Sequence, residues 1–238
     1  IIGITMGDPA GIGPEIIVKS LMKNRNFKDC SIIVIGDSNC LRNEAKKNNL
    51  DLEINICESL SNIKNINKPI VNCLNVGGKI DNVQYGYNSD ISGEASYLYI
   101  NKAVELALKN KINAICTAPI SKKALQMAGY NFPGHTELLA YLTKTKEVSL
   151  MLSTPKMNVI HVTTHIGLID AIKKIDSNLV FRTIERGRDL IKKLIHKEPR
   201  IGVCAINPHA GEDGLFGYGE EESKIIPAIN KTIELNWN

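Results

Sequence analysis

Three of the five histidines stand where an apolar segment gives way to a turn, which is where α/β enzymes usually present groups to a ligand. His209 follows the apolar run at residues 201–206 and lies in the stretch INPHAGEDG, residues 206–214. His165 ends a second apolar run, and His135 stands just before a predicted helix. Neutral imidazoles suit Zn²⁺, Co²⁺ or Mn²⁺, but a metal site normally needs a third ligand. Spacing alone therefore leaves a shared metal site open.

The residues around these histidines have alternative interpretations. His161 lies four positions before His165, and residues four apart share one face of a strand, so His161 is either a second ligand or a buried core residue. Glu212 or Asp213 either orients His209 by a hydrogen bond to the ring nitrogen that does not bind the metal, or faces solvent.

The segment GDPAGIG, residues 7–13, joins an apolar strand at residues 1–6 to a helix that opens on Pro14 and Glu15. Proline at the first helical position and an acid in the first turn are typical of a helix N-terminus. The glycines would allow the backbone to approach an anion closely. Because the spacing matches neither the G-x-G-x-x-G fingerprint nor the P-loop, the segment is either a ligand loop or a tight strand-to-helix turn.

Apolar runs and helical periodicity alternate along the chain, which predicts an α/β fold with a mostly parallel sheet covered by helices. The predicted strands span residues 1–6, 31–36, 51–57, 70–76, 114–119, 148–152, 158–163 and 201–206. The first predicted helix begins at residue 14. The others span residues 41–48, 94–109, 122–128, 137–143, 177–196 and 223–235. Ser121 and Asp176 are expected N-caps. Thr136 is expected to cap the helix at 137–143, which leaves His135 outside that helix.

Composition limits the classes of function. The chain has 238 residues and a formal net charge of +4, and this small excess gives no reason to expect binding to nucleic acid or to an anionic membrane. The six cysteines are scattered without a C-x-x-C pair, which favours free thiols in a reducing compartment. Because the sequence has no signal peptide and no apolar run of about 18 residues, we expect a soluble, cytoplasmic protein.

Five stretches, in order along the chain, resemble the 4-hydroxythreonine-4-phosphate dehydrogenase family of pyridoxal phosphate biosynthesis. They are Thr5–Glu15, Thr117–Lys122, Phe132–Glu137, Thr163–His165 and Asn207–Glu212. The first stretch also resembles the start of isocitrate and isopropylmalate dehydrogenases, whose fold the family shares. The resemblance implies a two-lobed α/β/α architecture. Its first lobe would span residues 1–118, and the second, at 119–238, would carry the metal ligands and the dimer contacts.

By this resemblance, His135 and Thr136 bind the substrate, and His165 and His209 are two of three histidines that hold a divalent metal (Zn, Mg, Co or Mn). Lys122 is either a catalytic residue, as a phosphate ligand or proton relay, or a surface lysine. The implied cofactor is NAD, bound by residues that the resemblance does not identify. Family members are homodimers with the active site at the interface. The family chain normally continues beyond the last residue given, so the third ligand and the segment that completes the first lobe are expected outside this sequence.

The implied reaction is the NAD- and metal-dependent oxidation of 4-phosphooxy-threonine at its hydroxyl-bearing carbon. Loss of the carboxylate as carbon dioxide would then give an amino-oxopropyl phosphate. Paralogues of similar sequence oxidise threonate or erythronate 4-phosphate, and nothing in the sequence separates these substrates. Two other classes remain open, namely a phosphate acyltransferase, which needs no metal-binding histidines, and an inactive binding fragment.

Overall fold

The structure is a computed structural model that describes residues 1–23, 30–64, 69–78, 80 and 83–237. The chain divides into two compact units, Ile1–Lys146 and Glu147–Asn238. This division falls later in the chain than the lobe boundary expected after residue 118, and the lobes of the whole protein stay a prediction.

The described part of the first unit is built on a parallel sheet of five strands, which confirms the predicted fold class. In chain order the strands are β1 Ile2–Thr5, β2 Ile32–Gly36, β3 Glu53–Cys57, β4 Ile70–Asn75 and β5 Ala114–Thr117. They lie side by side in the order β3-β4-β2-β1-β5, each parallel to its neighbours. The inner strand β2 is fully buried at Ile33, Val34 and Ile35, as expected of a parallel strand covered on both faces.

Three of the five helices in the described part of the first unit begin at a side chain that caps free amide groups. The five helices are α1 Gly13–Lys23, α2 Ser38–Lys47, α3 Asp90–Leu108, α4 Lys122–Met127 and α5 His135–Leu142. The predicted cap at Ser121 is confirmed, because its hydroxyl accepts the N–H of Ala124. Asp37 accepts two amide hydrogens at the start of α2. Throughout the described residues, no helix is both long enough and apolar enough to cross a membrane.

The start of α5 differs from the prediction. Its N-cap is Gly134, and the helix begins at His135, so His135 and Thr136 both lie in its first turn. The N–H of Leu138 donates to the carbonyl of Gly134 at 3.2 Å, so the helical hydrogen bonds begin earlier than a Thr136 cap would allow. The prediction relied on the capping preference of threonine, whereas Gly134 opens the helix without a side-chain cap. The expectation that His135 lies outside the helix is therefore wrong.

Helices α3 and α4 cross at a distance that only glycine permits. Gly93 faces the backbone of α4, and a Cβ at position 93 would lie 2.0 Å from the carbonyl oxygen of Ala124. A methyl group cannot occupy that space unless one of the helices moves. The crossing also keeps the starts of the two helices together, and there the Ser121 hydroxyl donates to the side chain of Asn88.

The second unit combines a short antiparallel hairpin with helices. The hairpin pairs β6 Met151–Ser153 with β7 Asn158–Ile160 and is a shorter version of the predicted strand pair. The helices are α6 Leu168–Lys174, which was not predicted, α7 Ser177–Ile195 and α8 Ile226–Glu234, and a π-helical turn at Glu221–Ile225 leads into α8. The predicted cap of α7 is confirmed, because the Asp176 carboxylate accepts the N–H of Leu179.

The strand predicted at residues 201–206 does not form. Ile201, Val203 and Ile206 pack against the buried cluster built by α7 and the start of α8, so the segment buries one face as its apolar pattern indicated. In the described part of the second unit, however, no neighbouring strand pairs with it, and a strand requires such a neighbour for its hydrogen bonds. That apolar face is only partly buried, and the prediction of a buried strand is wrong.

Candidate active site

The two units hold different parts of the predicted site. His135, Thr136 and Lys122 belong to the first unit, and His165 and His209 belong to the second. Lys122 is exposed at the first position of α4. Each unit therefore offers its own set of groups to a ligand.

The parallel sheet contains a point at which the chain changes its direction of winding. From β1 the chain passes to β2 on one side, and after β4 it returns to β5 on the other side of β1. Open α/β sheets bind ligands beyond the carboxyl ends of the strands that flank such a point. Loops at residues 8–12, 86–88 and 119–121 line a cleft of about 260 Å³ there. We call this the β1–β5 cleft, and it is a place where the first unit can hold a ligand.

The loop after β1 is held by backbone contacts that require its glycines. Gly7 has a φ of +73°, and a Cβ there would lie 2.2 Å from the carbonyl oxygen of Pro119. A Cβ at Gly13 would lie 2.2 Å from the carbonyl oxygen of Met6. The N–H of Asp8 donates to the Pro119 carbonyl at 2.9 Å and ties the loop after β1 to the loop after β5. These contacts favour the tight-turn interpretation of the glycines, with any ligand held in the adjoining cleft.

Asp8 places a carboxylate in the wall of the β1–β5 cleft. Its side chain is buried, and its Oδ1 accepts the N–H of Ala10 at 2.8 Å. Burial raises the pKa of Asp8, while hydrogen bonds from the Ala10 amide and the Ser92 hydroxyl act in the opposite direction. The carboxylate therefore already accepts hydrogen bonds that hold the loop after β1 in place.

His135 offers a buried nitrogen that lacks a partner. Its Nε2 belongs to the few buried polar atoms of the described residues that make no hydrogen bond. Burial lowers the pKa of His135, and the hydrogen bond from its imidazole to the Ala118 carbonyl opposes that shift. Because folded proteins rarely leave a buried polar atom unpaired, this nitrogen is suited to contact a bound molecule.

The burial of His135 predicts a loss of stability in acid. Its lowered pKa means that the folded protein favours the neutral ring, so the unfolded chain binds the extra proton first as the pH falls below about 6.5, the ordinary histidine value. The stability that the neutral ring contributes is present above that pH and is lost as the pH falls through the folded-state pKa. Urea unfolding between about pH 7 and about pH 5 should show a shallower decline in His135→Gln than in the unchanged chain. Equal declines would contradict the prediction.

His165 lies in the loop between β7 and α6 rather than at the end of a strand. β7 ends at Ile160, and the hairpin closes with the bond from the N–H of His161 to the carbonyl of Leu150 at 3.0 Å. His165 is exposed and adopts a left-handed backbone with a φ of +57°. This conformation is uncommon for residues with a Cβ, although histidine adopts it more often than most. The loop therefore begins earlier than the apolar pattern indicated.

His209 carries the strongest sign of a ligand function. Its Nδ1 lies 3.0 Å from the Oε1 of Glu212, which selects Glu212 over Asp213 as its partner, and its ring lies against Phe216. The side chain is 66% exposed, so the other ring nitrogen is accessible. Histidines that bind metals usually engage a carboxylate or carbonyl with the nitrogen that does not bind the metal. The pair of His209 and Glu212 matches that arrangement.

The turn that carries His209 has an unusual backbone. Five consecutive residues have positive φ values, namely +53°, +78°, +43°, +54° and +92° at Ala210, Gly211, Glu212, Asp213 and Gly214. Only glycine adopts this region without strain, and such strain persists where the surrounding structure holds it in place. One such support was missed by the sequence analysis, namely Glu221, which is buried and accepts backbone hydrogen bonds ahead of the turn. Three consecutive acids at 220–222 before a helix were the available signal.

The donor chemistry fits a metal only in part. Among the residues that the structure describes, no group of three or more histidine, cysteine, aspartate or glutamate side chains could hold a metal ion. His209 and Glu212 come together, and no third donor joins them within the described ranges. The metal ligands therefore stay a prediction, with His209 as the residue whose surroundings fit it.

Comparison with known proteins decides the family. The family model for the pyridoxal phosphate biosynthetic protein PdxA matches residues 28–238. This chain belongs to the PdxA family. The resemblance carried by the five sequence motifs is thereby confirmed.

Relatives of this PdxA chain have two different names. The D-threonate 4-phosphate dehydrogenase of Cupriavidus necator is 50% identical over 229 residues, which make up 96% of this chain and 68% of that protein. The 4-hydroxythreonine-4-phosphate dehydrogenase of Trichlorobacter lovleyi is 39% identical over 230 residues, again 96% of this chain and 68% of that protein. A crystal structure of a 4-hydroxythreonine-4-phosphate dehydrogenase from Burkholderia phymatum matches with 51% identity and a TM-score of 0.91, covering 99% of this chain and 71% of that one.

Membership of the PdxA family assigns the chain to the oxidoreductases rather than to the phosphate acyltransferases. Both names among its relatives are those of dehydrogenases, and dehydrogenases of this kind transfer a hydride to a nicotinamide cofactor. The names differ in the substrate, which they give as threonate in one case and as hydroxythreonine in the other.

Proposed function

We propose that this protein uses NAD and a divalent cation to oxidise a four-carbon hydroxy acid that carries a phosphate on its fourth carbon. The first candidate substrate is D-threonate 4-phosphate, because a relative with 50% identity bears that name. The second is 4-phosphooxy-threonine, because a solved structure with 51% identity is named for it. With the second substrate the protein would act in pyridoxal phosphate biosynthesis, in line with the description of its family.

The two candidate substrates allow the same chemistry. The oxidised carbon is the third one, with the carboxylate carbon counted as the first. Removal of a hydride from this carbon and of the proton from its hydroxyl gives NADH, a proton and a 3-oxo acid. A 3-oxo acid readily loses its carboxylate as carbon dioxide, because the carbonyl accepts the electron pair that the broken bond leaves behind. The expected product is an amino-oxopropyl phosphate from the threonine derivative and its hydroxy analogue from threonate.

The surroundings of His135 support contact with a hydroxyl group of the substrate. Burial lowers the pKa of His135 and so favours the neutral ring, and a hydrogen bond to the Ala118 carbonyl leaves Nε2 as an acceptor. An acceptor pairs with a hydroxyl and repels anionic phosphate or carboxylate oxygens. Thr136 lies beside His135 in the first turn of α5, and its hydroxyl can donate to one of those oxygens.

The carboxylate behind His209 supports its assignment as a metal ligand. Glu212 engages Nδ1, which leaves Nε2 for a cation, and His165 would supply a second imidazole. Imidazole donors favour Zn²⁺ or Co²⁺ over Mg²⁺. A divalent cation held there would lower the pKa of the substrate hydroxyl that is oxidised. Lys122 is exposed in the first turn of α4 and is proposed only as a phosphate ligand.

We also infer that the protein acts as a cytoplasmic homodimer that shares its active site between subunits. All six cysteines lie in the described part of the chain and are free, which supports a reducing compartment. The second unit exposes large apolar side chains that a second subunit would cover. Among them are Leu168, Ile169, Leu215 and Tyr218, each at least 69% exposed.

Parallel assays on the full-length protein test the substrate. D-Threonate 4-phosphate and 4-phosphooxy-threonine are each supplied with NAD or NADP, and formation of the reduced cofactor is followed with and without a chelator. We expect kcat/KM for threonate 4-phosphate to exceed that for the amino substrate by about 10-fold or more, since a site that hydrogen-bonds one group leaves polar atoms unpaired with the other. The chelator should abolish turnover of both. No turnover of either substrate would favour a binding role, and turnover unaffected by the chelator would contradict the metal.

A further inference from the structure

We propose that the buried carboxylate of Glu221 is a positioning residue for His209. It would hold the backbone that enters the turn at residues 207–215, and the backbone would in turn fix the direction of the imidazole. This inference rests on the proposed function, because it assigns Glu221 a part in holding the cation ligand.

The hydrogen bonds of Glu221 lie at the start of the turn. Its Oε1 accepts the N–H of Ile206 at 3.1 Å and the N–H of Asn207 at 2.9 Å. Bonds from two successive amides to one charged oxygen fix both the position and the orientation of the peptide between them. Only Pro208 separates that peptide from His209, and proline restricts the remaining rotation of the chain.

Glu221 is itself anchored in the core of the second unit. The residue is 5% exposed and opens the π-helical turn at Glu221–Ile225, whose last residue belongs to the buried cluster with α7. π-Helical turns are rare and frequently stand at functional sites. Because a buried carboxylate is unfavourable unless it is hydrogen-bonded, Glu221 and the two amides depend on one another. Glu221 is therefore held by the core through its backbone and by the two amides through its carboxylate.

The second carboxylate oxygen of Glu221, Oε2, lies next to Gly211 in the turn. A Cβ at Gly211 would lie 3.3 Å from this Oε2, so the left-handed glycine lets the turn close against the carboxylate. The same turn brings Glu212 to His209 at 3.0 Å. The turn also has backbone hydrogen bonds of its own, such as that from the N–H of Phe216 to the Gly211 carbonyl at 3.1 Å, but these bonds join residues within the turn and do not reach the core. Glu221 therefore links the strained turn to the core.

The two neighbouring acids do not share this position. Glu222 is exposed, and Glu220 accepts the N–H of Tyr218 at 2.6 Å. Glu222 lies outside the contacts of the His209 turn, so it provides a control of the same residue type at the adjacent position.

The test compares Glu221→Ala, Glu221→Gln, Glu221→Asp and the control Glu222→Ala in the full-length protein. Co²⁺ affinity is measured by titration calorimetry and by the visible absorption of the bound ion, and hydrogen exchange is measured at the amides of Ile206 and Asn207. We expect Glu221→Ala to weaken Co²⁺ binding by about 10- to 100-fold, the range seen for residues behind a metal ligand, and to accelerate exchange at both amides. Glu222→Ala should change neither quantity.

The two conservative variants separate positioning from charge. The side-chain oxygen of Glu221→Gln can still accept both amides, so this variant should retain Co²⁺ affinity within about threefold of the unchanged protein. Glu221→Asp keeps the charge but is one methylene too short, so it should lose affinity as the alanine variant does. This pair decides the question even if Glu221→Ala fails to fold. Retained affinity in Glu221→Asp, or a loss in Glu221→Gln equal to that in Glu221→Asp, would overturn the proposal.

A histidine variant distinguishes failure of this inference from failure of the proposed function. If His209→Ala binds Co²⁺ as tightly as the unchanged protein, then the metal assignment itself is wrong. If His209→Ala loses Co²⁺ while every Glu221 variant retains it, then only the positioning role of Glu221 is overturned.

Discussion

His209→Ala is expected to reduce cation-dependent turnover of the full-length protein by more than about 100-fold. Residues behind a metal ligand typically contribute 10- to 100-fold to metal affinity or activity, and loss of the ligand itself should cost more. The fold should survive, because the side chain is 66% exposed and its partners Glu212 and Phe216 are themselves exposed. The midpoint of thermal unfolding should therefore change little in the absence of metal.

The measurement for this variant is kcat/KM for D-threonate 4-phosphate and for 4-phosphooxy-threonine over a range of Co²⁺ concentrations. The control is His196→Asn, which replaces an exposed histidine at the left-handed C-cap of α7 with a residue that tolerates that conformation. The control should keep full activity. Unchanged turnover in His209→Ala would refute the ligand assignment, and a collapse of thermal stability would show that the turn has a structural function instead.

Gly93→Ala is expected to destabilise the protein by about 2 kcal/mol or more. Alanine normally stabilises a helix interior relative to glycine by about 1 kcal/mol, so propensity alone predicts the opposite sign. Here the added methyl group would lie 2.0 Å from the carbonyl oxygen of Ala124, and backbone atoms can make room only if α3 and α4 separate. Overpacking of this kind typically costs 1–3 kcal/mol and occasionally more, and it outweighs the gain in propensity.

Urea denaturation followed by circular dichroism measures the change caused by Gly93→Ala. The matched control is Gly78→Ala, because a Cβ at position 78 meets no atom within 4 Å and its backbone is not left-handed. That control should change the free energy of unfolding by less than about 0.5 kcal/mol. Equal stability of the two variants would mean that the α3–α4 crossing is looser than the structure indicates.

Local patterns predicted the elements of the first unit well. Apolar runs such as residues 31–36 became buried parallel strands, and the caps formed as expected at Ser121 and, in the second unit, at Asp176. The caps succeed because they depend on neighbours within a few residues, such as a hydroxyl that reaches the amide three positions ahead. The five motifs likewise indicated the family directly.

Patterns that depend on distant partners were less informative. Residues 201–206 have the composition of a strand, yet a strand exists only where another strand supplies its hydrogen bonds. The start of α5 shows the same limit on a smaller scale, since the sequence could not reveal which of Gly134 and Thr136 would begin the helix.

The sequence by itself determined the α/β class, the family and the histidines worth testing, because periodicity, caps and motifs are local properties of the chain. Only the tertiary structure decided which groups support those histidines. Glu212 rather than Asp213 faces His209, and Glu221 reaches back 15 residues to Ile206. The contact of Glu221 depends on how the chain folds back on itself, and a stretch such as residues 206–214 cannot encode a partner that lies beyond it.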